Sequence, residues 1–355
     1  MEVEQLKVKN TKTRIKLGYI AAILCAIVWG IWYIPGNLIY FLEPFESLYN
    51  EVFLSSGDNT ALLVTAILVT GLNATFVVIA LTIWNMGVGK FRELARSIRQ
   101  TKLCTRYFLW GAICGGPIAI LGTFIASGFI GASFAACAAL AYPIVGSVVS
   151  ASWLGQKLSR RAIAGILVVL LGGLSIYAGG LITDLTSGNV QWLGYVGGLM
   201  AVFGWGIEGA VAAKGLDVSE SDVGLTIRFI METIIWWILI IPIVALMGFP
   251  IFQYAALIFE PVVLFVLIML GVTFGFCYVV WYRAFPLVGV GRGQSIASLY
   301  GLFAVIFVFL FVGGEQSWTT IIGAVICIAG TFLMYTEPAS QMESLREISD
   351  KGESG

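Results

Sequence analysis

Uninterrupted apolar runs of about 20 residues recur from residue 17 to residue 336 of this 355-residue chain. A run of that length crosses the hydrocarbon core of a bilayer as a helix. Lipid offers no hydrogen-bond partners, so a spanning backbone must satisfy itself as a helix or a closed barrel. The runs are continuous rather than alternating, which excludes a barrel. The fold class expected is therefore an all-α polytopic membrane protein. Only 11% of residues are charged, about half the share of a soluble domain. The 42 glycines suit closely packed membrane helices. Zero net charge gives no reason to expect nucleic acid. His is absent, and the six cysteines (25, 104, 114, 137, 277 and 327) form no CxxC. They read as small apolar side chains, with no cofactor or metal implied. No nucleophile–base constellation is visible, so an enzyme is not expected.

Ten spans are expected, over 17–39, 61–84, 107–127, 131–153, 162–181, 192–213, 224–247, 257–282, 293–312 and 318–336. Lys7, Lys9, Lys12, Arg14 and Lys16 precede the first run. No small-residue cleavage site follows them, so the run reads as a span rather than a signal peptide. Every Lys and Arg falls in 7–16, 90–106 and 157–161, at 214, 228, 283 and 292, or in the tail at 346 and 351. The alternate connections hold Glu43, Glu46, Glu51, Asp58, Asp184 and Glu315 instead. The positive-inside rule then places both termini in the cytoplasm of a cell whose plasma or inner membrane the chain crosses. Residues 40–60 read as a long outer loop. In the basic connection 90–106, Phe91, Leu94, Ala95 and Ile98 recur at helical spacing among Arg92, Arg96 and Arg99. That pattern suits a short helix lying on anionic lipid.

The chain also repeats itself. At an offset of 158, Ala126, Gly131, Tyr142, Gly155, Ser159, Gly165 and Gly172 meet Ala284, Gly289, Tyr300, Gly313, Ser317, Gly323 and Gly330 without a gap. Trp29–Gly30 echoes Trp205–Gly206 at an offset of 176. The implied organisation is a cytoplasmic segment 1–16, a five-helix repeat 17–181, a second repeat 192–336 and a cytoplasmic tail 337–355. Five spans per half force the second copy to run inverted, the plan of many secondary transporters. Two inverted five-helix repeats with "WG" in the first helix of each, and "GGEQSWTTIIGAVICIAGT" near the end, resemble the drug/metabolite transporter superfamily with EamA-type domains. That resemblance implies transport of amino acids, cations, sugars or drugs.

Among the acids, only Glu208 and Glu232 lie well inside spans. An ionisable side chain at that depth is costly and marks function by default. Glu232 has Arg228 one turn before it, so an ion pair within the helix and a gate or coupling role are both open. Glu208, in "GWGIEGAVAAKG", has no partner on its own helix: Lys214 is off its face, whereas Trp205 shares it. A carboxylate beside aromatic rings in an uncharged setting suits a cation. A structural hydrogen bond and a coupling proton are the alternatives. Trp29, Tyr142, Tyr278, Trp281 and Tyr300 are the candidate rings, while Trp236, Trp237 and Trp318 read as packing or belt residues. Gly115, Gly116 and Pro117 offer a bending point.

"GWGIEGAVAAKGLDVSESDVGLTIR", "GGPIAILGTFIASGFIGASFAACAALAYP" and "CYVVWY" resemble the bacterial lic-type choline permeases. The resemblance implies choline, or betaine or carnitine, held by Glu208 among Trp29, Tyr142, Tyr278, Trp281 and Tyr300. An exporter of amino acids, drugs or metabolites is the other reading. Direction, proton coupling, and monomer against homodimer stay open.

Overall fold

The structure is a computed structural model that describes residues 2–100, 102–155, 158–187, 191–311 and 318–335. The expected tail 337–355 and Glu315 lie outside the described residues. Nearly all of the described chain is helical. Among the described residues, seven stretches are long and apolar enough to cross a membrane: Thr13–Phe41, Asp58–Gly87, Arg106–Ile130, Trp192–Gly215, Ser221–Leu246, Pro261–Val288 and Val290–Phe311. The other three expected spans fall on further helices, one of them divided. Residues 131–153 divide into α7 (Ala132–Ala138) and α8 (Tyr142–Leu154). Residues 162–181 lie within α9 (Arg160–Ser187), and 318–336 correspond to α17 (Trp318–Tyr335). The molecule is a multi-span helical membrane protein.

The connections are largely helical. The first helix, α1, runs Glu2–Leu38, so the helix of the first expected span continues back through the basic residues before 17. The outer connection 40–60 is ordered by α2 (Phe45–Ser56), which buries Phe45, Leu48 and Val52. The basic connection 90–106 holds α4 (Phe91–Gln100) and the start of α5 (Lys102–Ile113). On α4, Leu94 is buried while Phe91 and Ile98 are exposed, leaving an apolar edge beside Arg92, Arg96 and Arg99.

The 158-residue offset reappears in the backbone. Gly131 closes α6 (Leu121–Ile130) at φ 80° and ψ 155°. Gly289 closes α14 (Pro261–Val288) at φ 86° and ψ 159°. Only glycine adopts such angles without strain. A short helix follows each: α7 after Gly131, and α15 (Val290–Ala297) after Gly289. Each short helix then breaks before a helix that opens on tyrosine, α8 at Tyr142 and α16 (Tyr300–Phe311) at Tyr300.

Glycine also sets how the elements pack. A Cβ on Gly165 would meet the Gly330 carbonyl at 2.9 Å, and one on Gly172 would meet the Gly323 carbonyl at 2.6 Å. The pairing crosses over, so α9 and α17 run antiparallel in close contact. Between those glycines, the Cys327 thiol donates to the Val169 carbonyl at 3.4 Å, and Cys327 is itself Val169 shifted by the repeat offset. That reciprocity is what an inverted repeat requires. The Trp-Gly pairs behave alike: a Cβ on Gly30 would strike Phe303, and one on Gly206 would strike Val145. Through these close approaches α1 packs on α14 and α16, while α10 (Trp192–Gly215) packs on α6 and α8.

Replacing Gly172 with Leu should lower the thermal midpoint of the detergent-solubilised protein by several degrees, because its Cβ meets backbone atoms of α17. Gly87→Ala, where a Cβ meets nothing within 4 Å, should leave the midpoint nearly unchanged.

Candidate functional site

Two residue sets meet at the middle of the bundle. The first is aromatic. The Trp29 ring stacks on Tyr300 at 4.5 Å and 19°, and meets Trp205 edge-on at 4.6 Å. Tyr142 lies 6.1 Å from both Trp29 and Trp205. Trp281 and Tyr278 close the ring around Trp29 at 5.6 and 5.9 Å. All six are fully buried. Tertiary packing thus brings together every residue expected as a box candidate, and adds Trp205. Tyr142 donates its hydroxyl to the Gln294 carbonyl, and the Gln294 side-chain amide donates to the Trp205 carbonyl. The indole N–H groups of Trp29 and Trp281 have no hydrogen-bond partner among the described residues. A buried, unpaired donor is costly, so two polar handles remain for a guest.

The second set is charged, and it corrects the sequence reading of Glu208. Glu208 has a partner after all, on the neighbouring helix α11 (Ser221–Ile234). Arg228 Nε donates to Glu208 Oε1 at 2.8 Å. Tyr278 donates to Oε2 at 2.9 Å and Tyr282 to Oε1 at 3.1 Å. Trp205 reaches the carboxylate indirectly, through its N–H to the Tyr278 hydroxyl at 2.9 Å. Arg228 also pairs with Glu232 along its own helix through Nη1, as the spacing suggested. Trp236, read above as a packing residue, donates to Glu232 Oε1 at 3.4 Å. Glu208, Arg228 and Glu232 are all inaccessible to solvent. Two carboxylates share one guanidinium, so the fully ionised triad carries one surplus negative charge.

Room for the triad comes from Gly115 and Gly116. They lie in a π-helical turn, Cys114–Ile120, that joins α5 to α6 and contains Pro117. A Cβ on Gly115 would overlap Arg228 Nη2 at 1.9 Å, and one on Gly116 would meet the Glu232 carboxyl carbon at 2.5 Å. These glycines, expected as a bending point, therefore form the wall that lets charged side chains lie against bare backbone. Arg228 Nη2 is left without a hydrogen-bond partner among the described residues, and the guanidinium also lies 4.0 Å over the Phe229 ring.

Sequence reading treated Lys90 and Arg283 only as basic connection charges. The structure gathers both on Asp222 at the basic end of the bundle. Arg283 Nε donates to Asp222 Oδ1 at 2.8 Å and Nη2 to Oδ2 at 2.5 Å. Lys90 Nζ reaches Asp222 Oδ2 at 2.9 Å and Glu220 Oε1 at 2.6 Å, and Trp84 donates to Asp222 Oδ2 at 3.2 Å. Glu220 also caps α11, accepting from the Asp222 and Val223 amides. The cap position was a readable signal, an acid just before an apolar run, but its partners lie more than 60 residues away. Burial alone would lower the Lys90 pKa; the hydrogen bonds to Glu220 and Asp222 outweigh it and raise the pKa above 10.5. A raised lysine pKa adds stability that is complete below the ordinary value and lost only as pH rises through the shifted one. The latch thus holds throughout neutral pH. Asp222 sits about one and a half turns before Arg228, and Arg283 follows Tyr282, so the latch shares α11 with the triad and α14 with the triad's tyrosine donors.

Residues 192–336 match the model of the EamA-like transporter family. No curated protein matches the chain. One solved structure, described only as the crystal structure of a protein, superposes with a TM-score of 0.60 at 15% identity, covering 91% of this chain and 95% of its own. That likeness shows a fold in common with that structure over nearly the whole chain. The family match covers the second of the two repeats expected from the sequence.

Arg228→Met should destabilise the protein by about 3–5 kcal/mol, because it strands two buried carboxylates. Adding Glu208→Gln and Glu232→Gln should recover most of that loss, since no uncompensated charge remains. Chemical or thermal unfolding in detergent measures both.

Proposed function

We propose that the chain moves a small quaternary ammonium or other organic cation by alternating access, choline first, with betaine and carnitine behind it. The reading takes residues 17–181 and 192–336 as inverted five-helix halves with ten spans and both termini in the cytoplasm. It places the protein in the plasma or inner membrane and assigns it no enzymatic role. One observation carries it: a closed set of six aromatic rings lies against a buried triad with one surplus negative charge. Ring faces attract a permanent cation, and the surplus charge neutralises it. A cation without acidic protons cannot hydrogen-bond a carboxylate, so ring faces supply most of its contacts.

In this reading Trp29, Tyr142, Trp205 and Tyr300 are the central walls, with Tyr278 and Trp281 completing them. Glu208 sits behind Tyr278 and Tyr282 and sets the field at the cage. Arg228 holds both acids in place, and Glu232 is the acid with the fewest donors. The rings now touch one another, so loading requires them to part. Rocking of the halves supplies that movement. The Asp222–Lys90–Arg283 latch ties α3 (Asp58–Gly87) and its following residue Lys90 to α11 and α14, and so joins the two halves at the cytoplasmic end. In this reading the latch opens and closes that side as the halves rock. Proton coupling would place a proton on the triad whenever the cation leaves.

An exporter of amino acids, drugs or other metabolites fits the family match equally well. The two part on a substrate panel. Choline and tetramethylammonium should raise the thermal midpoint of the purified protein, while neutral amino acids should not. Trp29→Ala should weaken choline binding by about 2 kcal/mol, roughly thirtyfold, and Glu208→Gln should weaken it at least as much. Shifts with amino acids alone, or indifference of choline binding to both substitutions, would overturn the cation reading.

A further inference from the structure

A separate pocket of about 260 Å³ opens at the acid-lined end of the bundle. Asn37 and Tyr40 from the end of the first span, Glu46, Tyr49 and Asn50 from α2, and Ser127 from α6 supply its distinctive walls. Both tyrosine rings are held by their hydroxyls. Tyr40 donates to the Phe124 carbonyl at 2.8 Å, and Tyr49 donates to Asp58 Oδ1 at 2.7 Å. The bond to Asp58 pushes the Tyr49 phenol up to about 12, so the ring stays neutral at ordinary pH. With their hydroxyl protons committed, both rings offer a guest their faces, their edges and an accepting oxygen, but no donor.

The polar walls point to the charge of that guest. Ser127 is 92% buried, lines the pocket, and its hydroxyl makes no hydrogen bond among the described residues. Glu46 makes no ion pair among the described residues. Residues 39–60 and 248–260 contain Glu43, Glu46, Glu51, Asp58 and Glu260 but neither Lys nor Arg. A cleft lined by one sign of charge concentrates counter-ions of the other. Preset aromatic rings, an uncompensated carboxylate and free amide and hydroxyl groups together match an organic cation that also carries a hydroxyl or carbonyl.

We infer that this pocket is a second, outer binding site for a small hydroxylated organic cation, with Glu46 as its counter-charge and Ser127 and the two asparagines as its hydrogen-bonding groups. The inference rests on the cation reading above and adds an entry station to it. The site lies in the first half of the chain and shares no residue with the central cage. It captures the cation before the cage opens, so it acts on apparent affinity at low concentration rather than on the maximal rate.

Calorimetric titration of the full-length protein in detergent with choline tests this. Wild type should show two classes of site. Glu208→Gln should abolish the central class and leave a weaker one. Adding Glu46→Gln to Glu208→Gln should weaken that residual binding about tenfold or more, and Ser127→Ala in the same background should weaken it less. Tetramethylammonium, which has no hydroxyl, should be insensitive to Ser127→Ala but sensitive to Glu46→Gln. In proteoliposomes, Glu46→Gln alone should raise KM severalfold with kcat unchanged. A single class of site, lost with Glu208→Gln and indifferent to Glu46→Gln, would overturn the outer site while leaving the central reading intact. Absence of any choline binding to wild type would overturn both. Glu46 is exposed, so a matching thermal midpoint separates lost binding from lost folding.

Discussion

One guanidinium shared between two carboxylates, with no access to water, is the constraint around which the middle of this bundle is built. Placing any single one of these charges at membrane depth costs several kcal/mol. Together they are tolerated because each carboxylate meets Arg228 and at least one further donor. The consequences spread outward. Gly115 and Gly116 must lack side chains, Tyr278 and Tyr282 must face one side of α14, and Trp205 must reach Tyr278 rather than lipid. Arg228 is thus both the neutralising charge and the element that fixes how α10, α11 and α14 face one another.

Next to this asymmetric feature lies a nearly symmetric one. Trp29 and Trp205 correspond by one sequence offset, Tyr142 and Tyr300 by the other, and the four rings cluster together. The glycine after each tryptophan lets its helix press onto the tyrosine-bearing helix of the other half, which carries the indoles to the centre. The symmetry fails where the charge begins. Glu208 and Tyr282 touch in the second half. The residues at the same offsets in the first half, Trp32 and Phe124, also touch, with ring centres 5.2 Å apart. A hydrogen bond to a carboxylate on one side is therefore matched by an apolar contact on the other, and Trp32 turns its indole N–H to Asn73 instead. A repeated scaffold has been given one charged face.

Much of this was legible beforehand because its physical signals are local. Apolar runs announce helices, since lipid leaves the backbone no other means of satisfying itself. Glu208 stood out because nothing near it in sequence could neutralise it, and Trp29, Tyr142, Tyr278, Trp281 and Tyr300 stood out as aromatic residues inside spans. The i,i+4 spacing of Arg228 and Glu232 anticipated their pairing. The links to Glu208 were hidden: Arg228 is 20 positions away and Tyr278 is 70. The latch was hidden for the same reason. Lys90 and Arg283 look like ordinary connection charges until folding brings Asp222 between them. The outer connection was misread as loop because "PFESLYNEVFLSS" buries only one face, and that face needs α3 beside it.

By itself, then, the sequence determined the membrane-spanning helical class, the repeat offset, the segregation of charge and the short set of residues with chemistry to offer. These follow from periodicity, composition and the cost of charge in lipid, all readable along a line. Tertiary structure alone decided which carboxylate meets which cation, why two adjacent glycines are required, and which rings share a centre. Those are distances between helices, and helix packing depends on how side chains from remote segments fill one another's space.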